Sequence, residues 1–182
     1  WEKFAAVMSP KLKGVLNLHE VTADVGLDHF VCFSSMVSLM GSLGQTNYAA
    51  ANTFLDAFAQ HRRSLGLSAL SVNWGPWADV GMVANLDERS QQRMAEQGLT
   101  PIPIDVGMRT MGGLRQTPLA QVGVIPVDWA RFMASASGQA SGANSPLLEA
   151  VKPAIALSET PVVASGVLQR LASSEVSDRT PL

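Results

Sequence analysis

Three short apolar runs divide the larger part of the chain. They are Phe30–Phe33, Ala69–Trp74 and Val122–Val127, and each is bounded by polar or glycine-containing turns. Runs of this length, rich in β-branched and aromatic residues, are typical of strands. Because Phe30–Phe33 is continuously apolar, the pattern predicts a strand that is covered on both faces.

Apolar residues recur at helical spacing in the segments between these runs. A helix is predicted from about Thr46 to Gly66, a polar helix over Leu86–Gln97 and a short helix over Asp105–Arg115. Strands that alternate with helices indicate a parallel sheet with helices on its faces. The predicted fold class is therefore α/β, as part of a doubly wound, Rossmann-like parallel sheet.

Two helices are predicted before the first strand. The first covers Trp1–Met8. Ser9 is then a favourable N-cap and Pro10 a favourable first helical residue. A second helix is accordingly expected from this point to about Glu20.

The composition changes after Phe132. Of the 49 residues from Ala134 to Leu182, 18 are Ala or Ser, and the start of this region shows no apolar period. Such stretches are typical of flexible linkers. The prediction is a domain over residues 1–132 and an interdomain linker over 133–182, with a short helix near Leu168–Leu171.

Charge and composition exclude several classes of function. The net charge is −2 with no block of basic residues, which argues against a nucleic-acid partner. The apolar runs are shorter than the ~18 residues needed to span a bilayer, so no membrane partner is expected. Cys32 is the single cysteine and lies in an apolar run, which favours a reducing, cytoplasmic setting and a buried thiol over a nucleophile. The three histidines have no metal-ligand spacing, and no metal is predicted.

Polar residues that follow the first strand are arranged for carbonyl chemistry. Ser35 ends the strand, Tyr48 follows 13 positions later near the start of a helix, and Asn52 lies one turn further on the same helix face. Ligands of parallel sheets gather at the carboxyl ends of the strands. Two hydroxyls can hold one carbonyl oxygen there and one of them can supply a proton, as reduction of a ketone requires.

A phenol needs a nearby cation to act as an acid near neutral pH, since the pKa of a free phenol is about 10. The arginines at the end of the same helix lie too far along it. Of the two lysines on the preceding helix, Lys11 is favoured because it shares a stripe with Val15 and Leu18 that is expected to face the sheet. Lys13 lies off that stripe.

The sequence contains no glycine-rich phosphate-binding turn. Nucleotide binding on a doubly wound sheet uses such a turn after the first strand. There is no G-x-G-x-x-G, and Gly112-Gly113 lies in a helical segment with no strand before it. The expectation is that the chain begins in mid-domain and that an amino-terminal half carries the missing loop.

Four segments combine into a specific signature. They are Pro10-Lys11-Leu12-Lys13-Gly14, Phe33-Ser34-Ser35, Gly44-Gln45-Thr46-Asn47-Tyr48-Ala49-Ala50-Ala51-Asn52 and Asn73-Trp74-Gly75-Pro76-Trp77. Together they resemble the ketoreductase domain of modular type I polyketide synthases, within the short-chain dehydrogenase/reductase superfamily. Most members of that superfamily carry lysine four residues after the tyrosine, whereas polyketide synthase ketoreductases resemble this chain, with asparagine there and lysine on the earlier helix. The resemblance covers residues 1 to about 132, the carboxyl-terminal half of the domain, and the tail resembles the linker toward an acyl carrier protein.

This resemblance implies a reaction and a role for each candidate residue. NADPH would deliver hydride to the β-carbon of a carrier-bound 3-ketoacyl chain while Tyr48 protonates the oxygen. Ser35 would hold the carbonyl oxygen, and Lys11 would stabilise the phenolate and hold the nicotinamide ribose. Asn52 would anchor water or the helix near the proton path.

The resemblance also implies where the cofactor binds. Gly75, Pro76 and Trp77 resemble the turn that receives the nicotinamide ring. Lys11 and Tyr48 are the further cofactor contacts that the family implies.

Substrate contacts and stereochemistry are implied in the same way. Gln45 and Met82 are expected to face the substrate, and the polar helix Leu86–Gln97 resembles a mobile lid. In this family a tryptophan eight residues before the tyrosine marks one configuration of the alcohol product. Met40 occupies that position, which favours the class that lacks the tryptophan (B-type).

The implied partners are an acyl carrier protein with a phosphopantetheine-linked 3-ketoacyl chain, the amino-terminal half of the ketoreductase and other synthase domains. Without that half, Phe30–Phe33 would present an unpaired edge and an uncovered apolar face. The 182-residue chain alone is therefore expected to aggregate or pack loosely, to bind NADPH poorly and to be inactive. Two alternatives stay open: a non-catalytic piece that scaffolds neighbouring synthase domains, and a free-standing short-chain dehydrogenase acting on small alcohols.

Overall fold

Three parallel strands form the sheet that positions the candidate site. The structure, a computed structural model, describes residues 1–78, 80, 87–135 and 147–151. Within these residues the strands are β1 Val31–Ser35, β2 Leu70–Trp74 and β3 Gln121–Val124. They pair in the order β1-β2-β3, with Val31 opposite Leu70 and Ser71 opposite Gln121. The predicted α/β class with a parallel sheet is confirmed.

Helices connect the strands, as the alternating pattern predicts. They are α1 Glu2–Thr22, α2 Val37–Met40, α3 Thr46–Ser64, α4 Glu88–Glu96, α5 Ile104–Leu114 and α6 Trp129–Ala134. The side chains that define the apolar stripe of α3, Ala51, Leu55 and Phe58, are buried as predicted. Asp87 caps α4 by accepting a hydrogen bond from the backbone N–H of Ser90 at 2.8 Å.

The two faces of the sheet carry separate apolar clusters, because strand residues alternate between faces. The face toward α1 and α3 holds a cluster made of Val15, Cys32, Leu55 and Phe58. The opposite face holds a cluster made of Leu70, Val72, Trp74 and Ile102, flanked by Met111 and Leu114 of α5. The core therefore consists of two layers of helix with the sheet between them.

Among the described residues one face of β1 is uncovered, which agrees with the exposed apolar face expected for Phe30–Phe33 in this chain alone. Phe33 is 51% exposed, although its ring lies 5.7 Å from that of Trp74. The apolar cluster on that face is centred on β2 and does not include Phe33. A continuous apolar run shows that both faces can be covered, but not which elements cover them.

α1 is one continuous helix, so the predicted break at Ser9 and Pro10 is wrong. Pro10 lies inside Glu2–Thr22. A proline inside a helix removes one backbone donor and costs about 3 kcal/mol. α1 packs against α3 and buries Val15, and this tertiary packing sustains the helix through the proline.

A buried guanidinium joins α1, α3 and the segment before β2. Arg62 is 1% exposed. Its Nε donates to the carbonyl of Ser68 at 3.0 Å, and its Nη1 lies 2.6 Å from Nδ1 of His19. Because guanidinium has donors only, the ring nitrogen of His19 accepts. The guanidinium also lies 4.2 Å from the ring centre of Phe30, so Arg62 stabilises packing as well as the end of the helix.

The last strand ends at Val124, before the predicted Val127. Pro126 has no backbone N–H and cannot continue the ladder. Val127 instead forms an isolated antiparallel bridge with Leu99.

α5 approaches the turn after β2 most closely at Gly107. A Cβ atom added there would overlap Cη2 and Cζ3 of the Trp77 indole. We expect Gly107→Ala to lower the free energy of unfolding by about 1–3 kcal/mol, because the indole or the helix has to shift. Chemical denaturation measures this change.

Gly112 on the same helix is the matched control. Nothing lies within 4 Å of a Cβ added at Gly112. Gly112→Ala is expected to be neutral or to stabilise by up to about 1 kcal/mol, since alanine is the better helix former. Equal unfolding free energies for Gly107→Ala and Gly112→Ala would contradict the contact with Trp77.

The chain divides into two compact units, residues 1–143 and 144–182, and residues 147–151 of the second unit are helical. Most of the predicted linker over 133–182, including the helix expected near Leu168–Leu171, lies outside the described residues and stays a prediction. Among the described residues, no helix combines the length and hydropathy needed to cross a membrane.

Candidate active site

The candidate residues lie at the edge of the sheet where the strands end. β1 ends at Ser35 and β2 at Trp74, which are opposite each other in the register. α3, which carries Tyr48 and Asn52, packs on both strands. Ligands of open parallel sheets bind at this edge.

Lys11 of α1 and Tyr48 of α3 lie next to each other. The Nζ atom of Lys11 is 5.9 Å from the centre of the Tyr48 ring and donates to the carbonyl of Phe33 at 3.0 Å. Asn52 is fully buried, and its Nδ2 donates to the carbonyl of Tyr48 at 2.8 Å. The structure therefore brings the predicted cation, phenol and amide together.

The inward face of α1 differs in one residue from the predicted stripe. Lys11, Val15 and His19 are buried or half-buried at intervals of four residues, whereas Leu18 is 56% exposed. Lys13 is exposed as well. The choice of Lys11 over Lys13 agrees with this geometry, but the assignment of Leu18 to the stripe is wrong.

Lys11 is a partly desolvated cation. Burial lowers the pKa of its amine, and the neighbouring Cys32 and Asp56 act in the opposite direction. Burial likewise raises the pKa of the Cys32 thiol to about 11. The thiol is thus protonated near neutral pH, which fits a packing role better than that of a nucleophile.

Ser35 is buried at the turn into α2. Its Oγ accepts from the backbone N–H of Val37 at 3.3 Å, and its carbonyl accepts from the Ser38 hydroxyl at 2.8 Å. The N–H of Met36 donates to the carbonyl of Trp74 at 2.9 Å and holds the turn against β2. Among the described residues the Ser35 hydroxyl donates to no acceptor, so its hydrogen is available to a ligand.

Ser34 faces α3. Its Oγ donates to the carbonyl of Asn52 at 3.3 Å and accepts from Nδ2 of Asn73 at 3.1 Å. Of the two adjacent serines, Ser34 is therefore the one occupied with internal hydrogen bonds.

A buried hydrogen-bond network lies beneath this edge, and sequence reasoning missed it. Asp56 of α3 is 5% exposed. Its Oδ1 accepts from Ser71 at 2.6 Å, and its Oδ2 accepts from Ser38 at 2.7 Å and from Asn73 at 2.8 Å. The available signal was that Asp56 follows Asn52 by one turn, while Ser71 and Asn73 alternate on an otherwise apolar strand.

The turn after β2 is fixed on two sides. The N–H of Gly75 donates to the carbonyl of Val124 at 2.8 Å, and the N–H of Ile102 donates to the carbonyl of Pro76 at 2.7 Å. Trp77 forms a parallel bridge with Ile102. Gly75, Pro76 and Trp77 thus form a well-supported turn at the carboxyl edge of the sheet.

The two predicted substrate contacts are only partly described. Gln45 is the N-terminal flanking residue of α3, one turn before Tyr48, and its side chain makes no capping hydrogen bond. Met82 lies outside the described residues, and α4 occupies the position of the predicted lid helix. Met40 is buried at the end of α2.

A cavity of about 410 Å³ opens at the opposite edge of the sheet. The cavity is lined by residues at and before the starts of β1 and β2 and at and after the ends of α3 and α5, such as Phe30, Leu67 and Thr117. No candidate residue lines this cavity. Since ligands of parallel sheets bind at the carboxyl edge, we do not assign the reaction to this cavity.

Two buried polar atoms near the candidate site have no hydrogen-bond partner among the described residues. They are Oδ1 of Asn52 and Nε1 of Trp74. Such atoms mark positions where a ligand, water or another part of the protein completes the hydrogen bonding. In the described ranges, no group of three or more His, Cys, Asp or Glu residues is arranged to hold a metal ion.

The fold and the site define a class of protein. A parallel sheet with a serine at a strand end and a tyrosine on the following helix is the arrangement of the short-chain dehydrogenase/reductase fold, a Rossmann-like α/β class.

Comparisons with known proteins identify the family. Residues 1–79 match the family model described as "KR domain". The chain is 40% identical over 131 residues to the polyketide synthase GfsB of Streptomyces halstedii, which covers 72% of this chain and 2% of that protein. It is 37% identical over 179 residues to the spectinabilin polyketide synthase system protein NorB of Streptomyces orinoci, which covers 96% of this chain and 8% of that protein.

Solved structures agree with this relationship. An A1-type ketoreductase superimposes with a TM-score of 0.69 at 39% identity, over 80% of this chain and 29% of that chain. The first ketoreductase of the tylosin polyketide synthase superimposes with a TM-score of 0.67 at 41% identity, over 76% of this chain and 30% of that chain. The chain belongs to the ketoreductase domain family of type I polyketide synthases.

The chain is much shorter than these relatives. The chain spans 2% and 8% of these two synthases and about a third or less of these ketoreductase structures.

A C2-type ketoreductase is also similar, with a TM-score of 0.64 at 28% identity, over 72% of this chain and 28% of that chain. Since A1 and C2 types both superimpose, the B-type assignment from Met40 stays a prediction.

Proposed function

We propose that this chain supplies the catalytic residues of an NADPH-dependent ketoreductase, which reduces a carrier-bound 3-ketoacyl intermediate to the 3-hydroxyacyl form. One observation carries the proposal. The Lys11 amine lies 5.9 Å from the centre of the Tyr48 ring, although Asn52 occupies the position one turn after the tyrosine. The cation that the phenol needs is thus supplied from a different helix.

Each candidate residue has a role that its surroundings support. Tyr48 donates the proton to the substrate oxygen, and Lys11 stabilises the negative charge that this leaves on the phenol. Ser35 donates its uncommitted hydroxyl hydrogen to the same substrate oxygen. Asn52 fixes the first turn of α3 through the carbonyl of Tyr48 and presents a free Oδ1 toward water on the proton path.

The residues at this edge fit the nicotinamide end of NADPH, which supplies the hydride when bound. Lys11 and Tyr48 would contact the nicotinamide ribose. The Gly75–Trp77 turn, held on both sides by backbone hydrogen bonds, would support the ring. The unpartnered Nε1 of the neighbouring Trp74 supports the presence of a further group at this edge.

The partners follow from the family. Relatives such as GfsB are polyketide synthases of which this chain spans a small part. The proposed partners are other synthase domains, the amino-terminal half of the ketoreductase and an acyl carrier protein that presents the 3-ketoacyl chain on phosphopantetheine. The proposed location is the cytoplasm.

The test is turnover by the complete ketoreductase domain that contains this chain. We expect ketone-dependent oxidation of NADPH with a 3-ketoacyl chain on an acyl carrier protein. No turnover, with cofactor binding absent, would favour the scaffold alternative. Equal turnover of small free ketones would favour a free-standing dehydrogenase.

A further inference from the structure

We propose that Asp56 is a positioning residue of this active site: it anchors the turn that carries Ser35. The inference rests on the proposed function and extends it to a residue that contacts neither substrate nor cofactor. Asp56 is 5% exposed and lies two turns after Tyr48 on α3. All three of its side-chain hydrogen bonds described above come from neutral donors.

The first step of the argument is the path from Asp56 to Ser35. Ser38 Oγ lies 2.7 Å from Oδ2 of Asp56 and 2.8 Å from the carbonyl of Ser35. Ser38 has one hydrogen, so at any one time it donates either to Asp56 or to the Ser35 carbonyl. Nδ2 of Asn73 lies 2.8 Å from Oδ2 of Asp56, 2.7 Å from Ser38 Oγ and 3.1 Å from Ser34 Oγ, so its two hydrogens are shared among three acceptors. When Ser38 donates to Ser35, Asn73 therefore connects Ser38 to Asp56. The Ser35 carbonyl is thereby fixed to α3.

The second step is the orientation of the Asn73 amide. Its Oδ1 accepts from Nε2 of Gln121 at 3.0 Å. The NH₂ group must therefore point toward Asp56 and Ser38. Nε2 of Gln60 lies 3.3 Å from Oε1 of Gln121, so the network begins and ends on α3. A network satisfied in this way holds its members rigidly.

The third step is electrostatic. Lys11 on α1, Cys32 on β1, and Tyr48 and Asp56 on α3 are the titratable groups that meet beneath this edge. Burial lowers the pKa of Lys11, and Cys32 and then Asp56 oppose this effect. The ion pairs seen in the described residues, Arg109–Asp105 and Arg131–Asp128, are exposed and do not involve Asp56.

The experiment uses the complete ketoreductase domain and three substitutions. Asp56→Asn keeps the shape and removes the charge. Ser38→Ala cuts the path to Ser35 and leaves the charge in place. Asp24→Asn makes the same chemical change at an exposed carboxylate after α1 and serves as the control. Steady-state rates over pH, NADPH affinity, thermal unfolding and NMR titration of the labelled Lys11 side chain are measured for each.

We expect Asp56→Asn to lower kcat by about 10- to 100-fold, the scale of a hydrogen bond to a charged group. KM and NADPH affinity should stay within about threefold of the parent. The loss of activity at high pH should begin at lower pH, because Lys11 loses its proton more readily without the nearby negative charge. Ser38→Ala should lower kcat but leave unchanged the pH at which activity is lost on the alkaline side. Asp24→Asn should change neither kcat nor that pH.

The contrary results are distinct. The proposal would be overturned if Asp56→Asn kept the kcat and the pH profile of the parent. It would also be overturned if kcat, NADPH affinity and thermal stability all fell to a similar extent, because that pattern indicates a general structural defect. If Asp56→Asn fails to fold, an unchanged kcat in Ser38→Ala overturns the positioning of Ser35. If the parent domain itself is inactive, the proposed function fails. In that case the Lys11 titration still decides the electrostatic part, since an unchanged midpoint in Asp56→Asn contradicts it.

Discussion

Replacing Tyr48 by phenylalanine is expected to abolish ketone reduction in the complete domain without unfolding it. Phenylalanine keeps the ring beside Lys11 and removes only the acidic hydroxyl. A well-placed general acid contributes about 10²- to 10⁴-fold in rate, and kcat should fall by that factor. The measurement is carrier-dependent oxidation of NADPH under substrate saturation.

The fold provides the control for this prediction. In the described part of the chain the Tyr48 hydroxyl makes no hydrogen bond that the variant would lose, whereas the backbone carbonyl of Tyr48 still accepts from Asn52. Thermal unfolding and NADPH affinity should therefore match the parent. Turnover that survives in Tyr48→Phe would remove Tyr48 from the role of proton donor.

Replacing Lys11 by methionine is expected to lower kcat by about 10²- to 10³-fold, the usual effect of removing one preorganised electrostatic contact from an active site. Methionine matches the length of the lysine stem and lacks the charge. Lys13→Met is the matched control, because Lys13 lies two residues away on the same helix and is exposed. Similar activities of the two variants would contradict the assignment of the cation to Lys11.

Lys11 also makes the free energy of unfolding depend on pH, and the direction of this dependence follows from its pKa. Its pKa is lower in the folded state than in the unfolded chain because burial disfavours the charged amine. The unfolded state therefore binds the proton more tightly, so the contribution of Lys11 to stability is present above the unfolded pKa and is lost as the pH falls toward the folded one. Relative to Lys11→Met, the parent should lose stability as the pH falls below the ordinary lysine pKa of about 10.4, because the unfolded chain then takes up the proton first. Lys13→Met should show no such difference in chemical denaturation.

The regular elements of the fold were predictable because their periodicity is strong. The stripe on α3 and the short, largely apolar runs of β1 and β2 led to the right elements with nearly the right ends. The break at Pro10 was wrong because local helix rules do not include the packing of α1 on α3. The apolar run of β1 did not show which elements cover it, and Phe33 is exposed in the described part of the chain.

For the candidate site, the sequence predicted the residues at the sheet edge but not the hydrogen-bond network beneath them. Tyr48 and Asn52 could be selected from their spacing after Ser35, and Lys11 because a phenol needs a nearby cation. Asp56 was missed since a lone carboxylate on a helix usually faces water. Its role depends on Ser71 and Asn73, which only strand pairing brings to the same side.

The position of β1 in the sheet has a consequence for hydrogen exchange. Within the described residues β1 pairs with β2 alone, and the N–H of Leu70 donates to the carbonyl of Phe30. By alternation, the backbone groups of Val31 and Phe33 point to the other side, where Lys11 holds the carbonyl of Phe33. The amide hydrogens of Val31 and Phe33 should then exchange with solvent faster than those of β2, and slow down when another strand pairs there. The strand that ends in Ser35 is thus the one whose local opening depends on whether a second strand pairs with it.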